Sequence, residues 1–374
     1  MIYADNAATT RLDNQAYQAM VPFLKDEYGN ASSVYSFSRV PRQALRDARA
    51  AIAGCIGAKD EEVFFTSGGT ESDNWALKGI SFARKNEKKH IITSSVEHHA
   101  ILHSCAFLEK IGIKIVYLPV DRTGLVSMDI LKRSISDETA LVSLILANNE
   151  IGSLQDIASL ARVAHEYGAL FHTDAVQAVG HIPVNVCSLG VDLLSASAHK
   201  FNGPKGVGFL YIRNGIEIQS YSSGGAQERK LRAGTENIAA IVGMAVALKN
   251  NVMMMDTNTI HLEKLSSVFL HQLNSSGVDY LLNGSSRRLP GHLSISIKGE
   301  AGERLLHRLD LKGICISTGS ACNASETEIS HVIQAIDIPS LYAKGTIRIS
   351  FGKENTLDES ARIAEAIASI CNRE

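Results

Sequence analysis

Between about Gln15 and about Lys249, short apolar runs alternate with stretches of helical periodicity. This alternation constrains the fold most. Strands separated by helices pair side by side in parallel, and the helices cover the sheet, so the chain reads as α/β with a mostly parallel sheet. Ala140–Leu146 is strand-like and Ile157–His165 is helix-like. At 374 residues the chain exceeds one typical core, and two domains are expected. The polar, Met-rich stretch Asn250–Asn258 is expected to lie in a long helix leading into the second. There, His292–Ile297 alternates as a strand on a half-buried sheet, and Gly302–Leu309 follows as a helix.

Several apolar runs end in residues that carry chemistry. Val63-Phe-Phe-Thr-Ser-Gly68-Gly69-Thr70 breaks from a strand into a helical pattern. Two glycines let backbone N–H groups approach an anion, and the helix start and the Thr70 hydroxyl add donors, which makes a phosphate cup. An ordinary strand-to-helix turn with Thr70 as N-cap has the same appearance. Thr93-Ser-Ser-Val-Glu97-His98-His99 places His98 where it can stack on a flat ring and exchange protons near neutral pH. The histidine pair also suggests a metal, but no Cys or carboxylate lies at ligand spacing, so no metal is expected. His172-Thr-Asp174-Ala-Val-Gln177 ends a buried strand in an acid, where α/β sheets bind ligands; Asp174 suits either a pyridine nitrogen or the next helix as a cap. Ser195-Ala-Ser197-Ala-His199-Lys200 sets a lysine among small hydroxyl residues at a strand end and suits a Schiff-base lysine. In this order the four segments point to an enzyme that uses pyridoxal phosphate (PLP).

Cys322 lies in Ser317-Thr-Gly-Ser-Ala-Cys322-Asn-Ala-Ser325, a composition that makes an exposed loop and an accessible, reactive thiol. Cys315, between isoleucines, reads as core; Cys55, Cys105, Cys187 and Cys371 read as structural filler.

With these residues in view, the chain resembles the cysteine desulfurase family of NifS/IscS type from end to end. The resemblance rests on Tyr3-Ala-Asp-Asn-Ala-Ala-Thr-Thr10, Tyr28-Gly-Asn30, Phe65–Glu71, Val96-Glu-His98, Ala147-Asn-Asn-Glu150, His172–Gln177, Ser197-Ala-His-Lys200, Arg232–Asn237, Gly319-Ser-Ala-Cys322 and Ser330-His-Val332. It implies fold type I of the class V aminotransferase family: a large domain (15–255) with a mixed, mostly parallel seven-stranded sheet, and a smaller α+β domain (1–14 and 256–374) carrying the cysteine loop. Lys200 would hold PLP as a Schiff base. Gly69, Thr70, Ser197 and His199 would contact the phosphate, and Thr235 would reach the phosphate of a neighbouring subunit. Asp174 would pair with the ring nitrogen, Gln177 with the ring oxygen, and His98 would stack on the ring. Asn149 would lie near cofactor and substrate carboxylate, and Arg348 would grip that carboxylate with its fork. Cys322 would take sulfur from L-cysteine as a persulfide, releasing alanine, and pass it to an acceptor protein that makes iron–sulfur clusters or thiolated products. The resemblance also implies a homodimer. A selenocysteine lyase or another PLP-dependent C–S lyase, and a scaffold without turnover, are the competing readings; a lyase would not need Cys322.

The chain departs from the family pattern at Tyr35 and Ser38, where a histidine and a glycine are usual. Ala226 and Lys230 replace glycines, and Asn323-Ala324 follows the nucleophile. A formal net charge of −2 gives no long-range pull toward nucleic acid. No run approaches the roughly 20 apolar residues that cross a bilayer. Lys85-Asn-Glu-Lys-Lys89 reads as a solvated helix end. The first residues lack the pattern of a signal peptide, and six scattered cysteines show no disulfide framework, so a cytoplasmic setting is expected.

Overall fold

The computed structural model describes residues 1–83, 88–318 and 329–372. Its strands are β1 (Ile2–Tyr3), β2 (Val63–Thr66), β3 (His90–Ser94), β4 (Lys114–Leu118), β5 (Thr139–Ser143), β6 (Leu170–Asp174), β7 (Leu193–Ser197), β8 (Gly208–Ile212), β9 (Tyr280–Leu282), β10 (His292–Ile297), β11 (Ile314–Cys315) and β12 (Thr346–Ser350). The helices are α1 (Asn14–Lys25), α2 (Arg39–Ile56), α3 (Gly69–Ala83), α4 (His99–Lys110), α5 (Met128–Ser134), α6 (Ile157–Glu166), α7 (Val186–Leu189), α8 (Ile238–Met253), α9 (Met255–Ser275), α10 (Gly302–Asp310), α11 (His331–Ala335), α12 (Ser340–Ala343) and α13 (Leu357–Cys371).

Seven strands form one sheet in the order β2-β8-β7-β6-β5-β3-β4. The five from β7 to β4 run parallel, and β8 lies antiparallel to both β7 and β2. Helices cover both faces, so β5, β6, β7 and β8 are buried at every position. The strand period of two divides β2 between the two layers. Val63 and Phe65 pack with Phe171, Phe209 and Met244 on one side, while Phe64 packs with Trp75, Ile80 and Leu141 on the other. The C-terminal ends of β5, β6 and β7 converge beside the turns before α3 and α4, and the functional side chains gather there.

A smaller antiparallel sheet, β12-β10-β9, packs against α9, α10 and α13 around Phe269, Ile295, Leu305, Ile349 and Ile363. The N-terminal strand β1 joins this region by pairing in parallel with β11.

Four expectations are corrected. Strand β10 is buried along its whole length instead of on one face. Its polar positions tolerate burial because they are paired: Asn283 Nδ2 donates to Ser294 Oγ (3.1 Å) and Ser296 Oγ (2.8 Å), and Ser296 Oγ also meets Thr346 Oγ1 at 2.7 Å. The Met-rich stretch is a corner between α8 and α9, which meet at Met254 with a 71° bend. Asparagine side chains tie down the end of α8: Asn251 Nδ2 donates to Phe201 O at 2.7 Å, and Asn250 Nδ2 to Gln15 Oε1 at 2.9 Å. Cys187 is exposed rather than packed as filler, and Cys315 is half-buried. The Lys85 cluster falls largely on residues outside the described ones.

Candidate active site

Asp174 is the last residue of β6 and is 4% exposed. One of its oxygens accepts the Val176 N–H at 2.9 Å. Burial raises its carboxyl to about 6, against the opposing pull of that N–H and of the Lys200 ammonium. No helix starts directly after it, so its bond to Val176 closes a turn rather than capping a helix. Two residues earlier on the same strand face lies His172. Its Nδ1 meets Ser143 Oγ at 2.8 Å and its Nε2 meets Ser195 Oγ at 2.9 Å, and complete burial holds the ring neutral, with its pKa lowered to about 3.

Beyond Ser197, the end of β7 tightens into a single turn over Ala198–Lys200. This turn aims Lys200 at the N-terminal segment: Nζ donates to Ala7 O (2.6 Å) and Ala8 O (2.8 Å). Gln177 Nε2 donates to the same Ala7 carbonyl at 2.9 Å. Thr10 locks the crossing by donating Oγ1–H to His199 O at 2.8 Å, and His199 Nδ1 lies 3.2 Å from Thr9 Oγ1. Burial, then the Lys200 charge, lowers His199 to about 4.

The glycine turn behaves as a cup. Gly68 has φ 150°, which side-chain-bearing residues avoid. A Cβ on Gly69 would come within 2.5 Å of Val176 Cγ2, and one on Gly208 within 2.7 Å of Gly68 Cα. The turn can therefore sit this close to β8 only as glycine. Helix α3 begins at Gly69, so Thr70 lies in its first turn and is not its N-cap. Thr70 is exposed and Ser197 is buried. The first N–H groups of a helix lack partners within it and point to this same place.

His98 caps α4: its Nδ1 accepts the Ala100 N–H at 3.2 Å. The neutral ring then carries its proton on Nε2. Burial, then Lys200 and the neighbouring histidines, lower it to about 4. Glu97 beside it is buried and accepts from Ser94 Oγ (2.5 Å) and Ile145 N (3.1 Å), with burial raising it to about 8. Polar atoms of Asp73, His98 and Asp174 all lie within 4.8 Å of one another.

Arg348 on β12 is 3% exposed. Its Nη2 pairs with Asp5 Oδ1 at 2.7 Å, its Nη1 donates to Asn149 O at 2.8 Å, and its Nε is buried without a partner. The two contacts thus engage two of the five guanidinium N–H groups. Cys322 lies outside the described residues. Both flanks of its segment are anchored at the site. Ser317 and Arg348 exchange backbone hydrogen bonds of 3.1 and 2.6 Å. On the far side Ser330 Oγ donates to Glu150 Oε2 at 2.6 Å, and His331 Nε2 meets Glu97 O at 3.0 Å.

The structure therefore brings together Gly69, His98, Asn149, Asp174, Gln177, Ser197, His199, Lys200 and Arg348, while Thr235 stands exposed on the loop before α8. Sequence reasoning missed Asp5, Asp73, Glu97 and Glu150. Asp73 had one signal: it follows Gly69 by one helical turn and so shares its buried face.

A mostly parallel sheet with a lysine and an acid at adjacent strand ends, a glycine turn at a helix start and a neighbouring histidine fit a class of PLP enzyme. The chain belongs to the aminotransferase class-V family, whose model matches residues 2–363. Within that family it falls among the cysteine desulfurases. A cysteine desulfurase IscS of Dictyoglomus turgidum is 51% identical over 377 residues, covering 99% of this chain and 96% of the relative. A NifS-like protein of known structure superposes with a TM-score of 0.93 at 37% identity, covering 99% of this chain and 98% of its own. A structure described as SspA in complex with cysteine gives a TM-score of 0.84 at 33% identity, covering 95% and 100%. The fold is type I of the PLP enzymes, and the family implies PLP as cofactor.

Proposed function

We propose that this cysteine desulfurase works through Lys200, Asp174, His98, Arg348 and Cys322, converting L-cysteine to L-alanine and leaving the sulfur as a persulfide on Cys322. The observation that carries the reading is the convergence of Lys200 Nζ and the buried Asp174 carboxyl beside neutral His98. The residues fit PLP. Lys200 would hold it as a Schiff base, Asp174 would take the ring nitrogen and Gln177 the ring oxygen, and His98 would cover the ring. Gly69, Thr70, Ser197 and His199 would hold the phosphate. When bound, the cofactor supplies an electron sink for the charge left on the substrate α-carbon.

The chain's own residues do the rest. The Arg348 fork takes the substrate carboxylate, which requires Asp5 to give way, and Asn149 lines the same side. Lys200 Nζ, once released from the cofactor, accepts the α-proton. His98, with its proton on Nε2, would carry protons during these steps. The Cys322 thiolate attacks the substrate sulfur: an S–S bond forms, the C–S bond breaks, and a proton completes alanine. The anchored flanks at Ser317 and Ser330 support this assignment, because they start and finish the Cys322 segment at the site.

A homodimer fits exposed Thr235, whose hydroxyl would serve a neighbour's phosphate. The sulfur acceptor would be a protein of cluster assembly or thiolation, in the cytoplasm. The cluster around Phe171 and the cluster around Phe269 favour a division into 15–255 and 1–14 with 256–374, although Val96 and Ile151 also pack with Val332, Ile333 and Ile336 across it. Among the described residues no single helix is long and apolar enough to cross a membrane.

The test is mass spectrometry of the protein mixed with L-cysteine, with alanine assayed in parallel. One added sulfur on the Cys322 peptide is expected, with both signals lost in Cys322→Ala. Alanine formed by that variant at the wild-type rate would instead mean lyase-type release.

A further inference from the structure

Behind Asp174 sits a second buried acid to which the reaction gives no role. Asp73, on the first turns of α3, is 1% exposed. Among the described residues its Oδ1 has no hydrogen-bond partner, and it lies 3.8 Å from His172 Nε2. Its carboxylate oxygens come within 4.8 Å of those of Asp174. Two carboxylates this close in a dry site cannot both ionise cheaply, so the pair keeps one proton. The surroundings decide where that proton sits. Asp174 has the Val176 N–H and the Lys200 ammonium to support its charge. Asp73 is faced by Asp174 and His172 from β6, by the Ser195 hydroxyl from β7, and by Glu97 and His98 from the turn before α4. Glu97 holds its own proton near neutral pH and, like neutral His172 and His98, supplies no counter-charge to Asp73, and Ser195 offers a single hydroxyl already shared with His172.

We propose that Asp73 is a positioning residue that keeps the shared proton, so that Asp174 retains its negative charge for the ring nitrogen of the cofactor. The proposal rests on the role given to Asp174 above. Its physical content is a division of labour between two acids of one type. The proton on Asp73 lowers the cost of the Asp174 charge, and the Asp174 charge in turn raises the cost of ionising Asp73.

The test is infrared spectroscopy of protein carrying isotope-labelled aspartate, with and without bound PLP. At neutral pH a protonated-carboxyl C=O band that shifts with the label is expected. It should vanish in Asp73→Asn and persist in Glu97→Gln. In the holoenzyme, the wild-type cofactor absorbance should show an alkaline step, from ionisation of Asp73, that Asp73→Asn lacks. Loss of a carboxylate band rather than a protonated one in Asp73→Asn would overturn the proposal. So would the absence of any label-sensitive protonated band in wild type, a result that stands even if the variant does not fold. A protein that shows the Asp73 band yet binds no PLP would sink the cofactor reading of Asp174 and leave the shared proton intact.

Discussion

At the scale of single residues, the site is built from groups whose charges burial has suppressed. Glu97 shows what that costs. Its folded value of about 8 lies above the ordinary 4.5. The folded protein therefore binds a proton that the unfolded chain releases between those limits. Its contribution to stability is complete below about pH 4.5 and is lost as pH rises through about 8. Glu97→Gln keeps an acceptor for Ser94 and the Ile145 N–H without the titration. It should leave the melting temperature at pH 5 near wild type and raise stability at pH 9 by about 1–3 kcal/mol, read by denaturant unfolding of the apoprotein. An unchanged difference between the two pH values would show that Glu97 is solvated. His98 and His172 act in the opposite sense. Their lowered values supply stability that is present above pH 6.5 and lost as pH falls through about 4 and 3.

Among the elements, the turn Gln227–Lys230 between β8 and α8, which braces α2 against β2, carries the most strain. Glu228, Arg229 and Lys230 all have positive φ, at 43°, 57° and 68°, a run that L residues adopt at about 1–2 kcal/mol each. What holds them is a buried anchor. Both Glu228 oxygens bond Arg49, at 2.7 and 2.8 Å, and Oε2 also accepts the Phe65 N–H at 2.9 Å. Lys230 adopts a backbone conformation that suits glycine better, so the anchor compensates for a residue the loop would not choose. Glu228→Ala leaves Arg49 and the Phe65 N–H unpaired and should destabilise the fold by about 3–5 kcal/mol in denaturant unfolding. Lys230→Gly should be neutral to stabilising by up to about 1 kcal/mol, as relief of strain offsets added chain freedom. A cost above that range for Lys230→Gly would mean that its side chain, not its backbone, matters.

Across the whole molecule, legibility in the sequence followed locality. Lys200 and Asp174 could be read because each ends an apolar run, and strand ends are where α/β sheets place chemistry. Gly68 and Gly69 could be read because a tight strand-to-helix turn needs them. Asp73 could not: inside a helix only its neighbours in space, His172 and Asp174, give an acid its meaning. The Arg348–Asp5 pair spans 343 residues, and no spacing rule reaches that far. The buried serines of β10 misled because alternation with leucine and isoleucine signals a wet face, and their distant partners Asn283 and Thr346 are what let that face be dry. Removing residues 1–8 should leave the seven-stranded sheet folded, since those residues add nothing to its two cores. It should abolish tight PLP binding through loss of the carbonyls that hold Lys200 and Gln177. Circular dichroism and cofactor titration of the shortened chain check both halves of that expectation.

The crossing of the N-terminal segment over Lys200 has a consequence for how the protein is made. Residues 5–8 leave the ribosome long before Arg348 and Ser350, which secure Asp5 and Ala7. At roughly 5–20 residues per second the two are separated by about 20–70 s of synthesis. During that interval the nascent chain can complete its large sheet but not its lysine pocket. A chain cut short before β12 would thus carry every strand of its large sheet but lack the partners that fix Asp5 and Ala7.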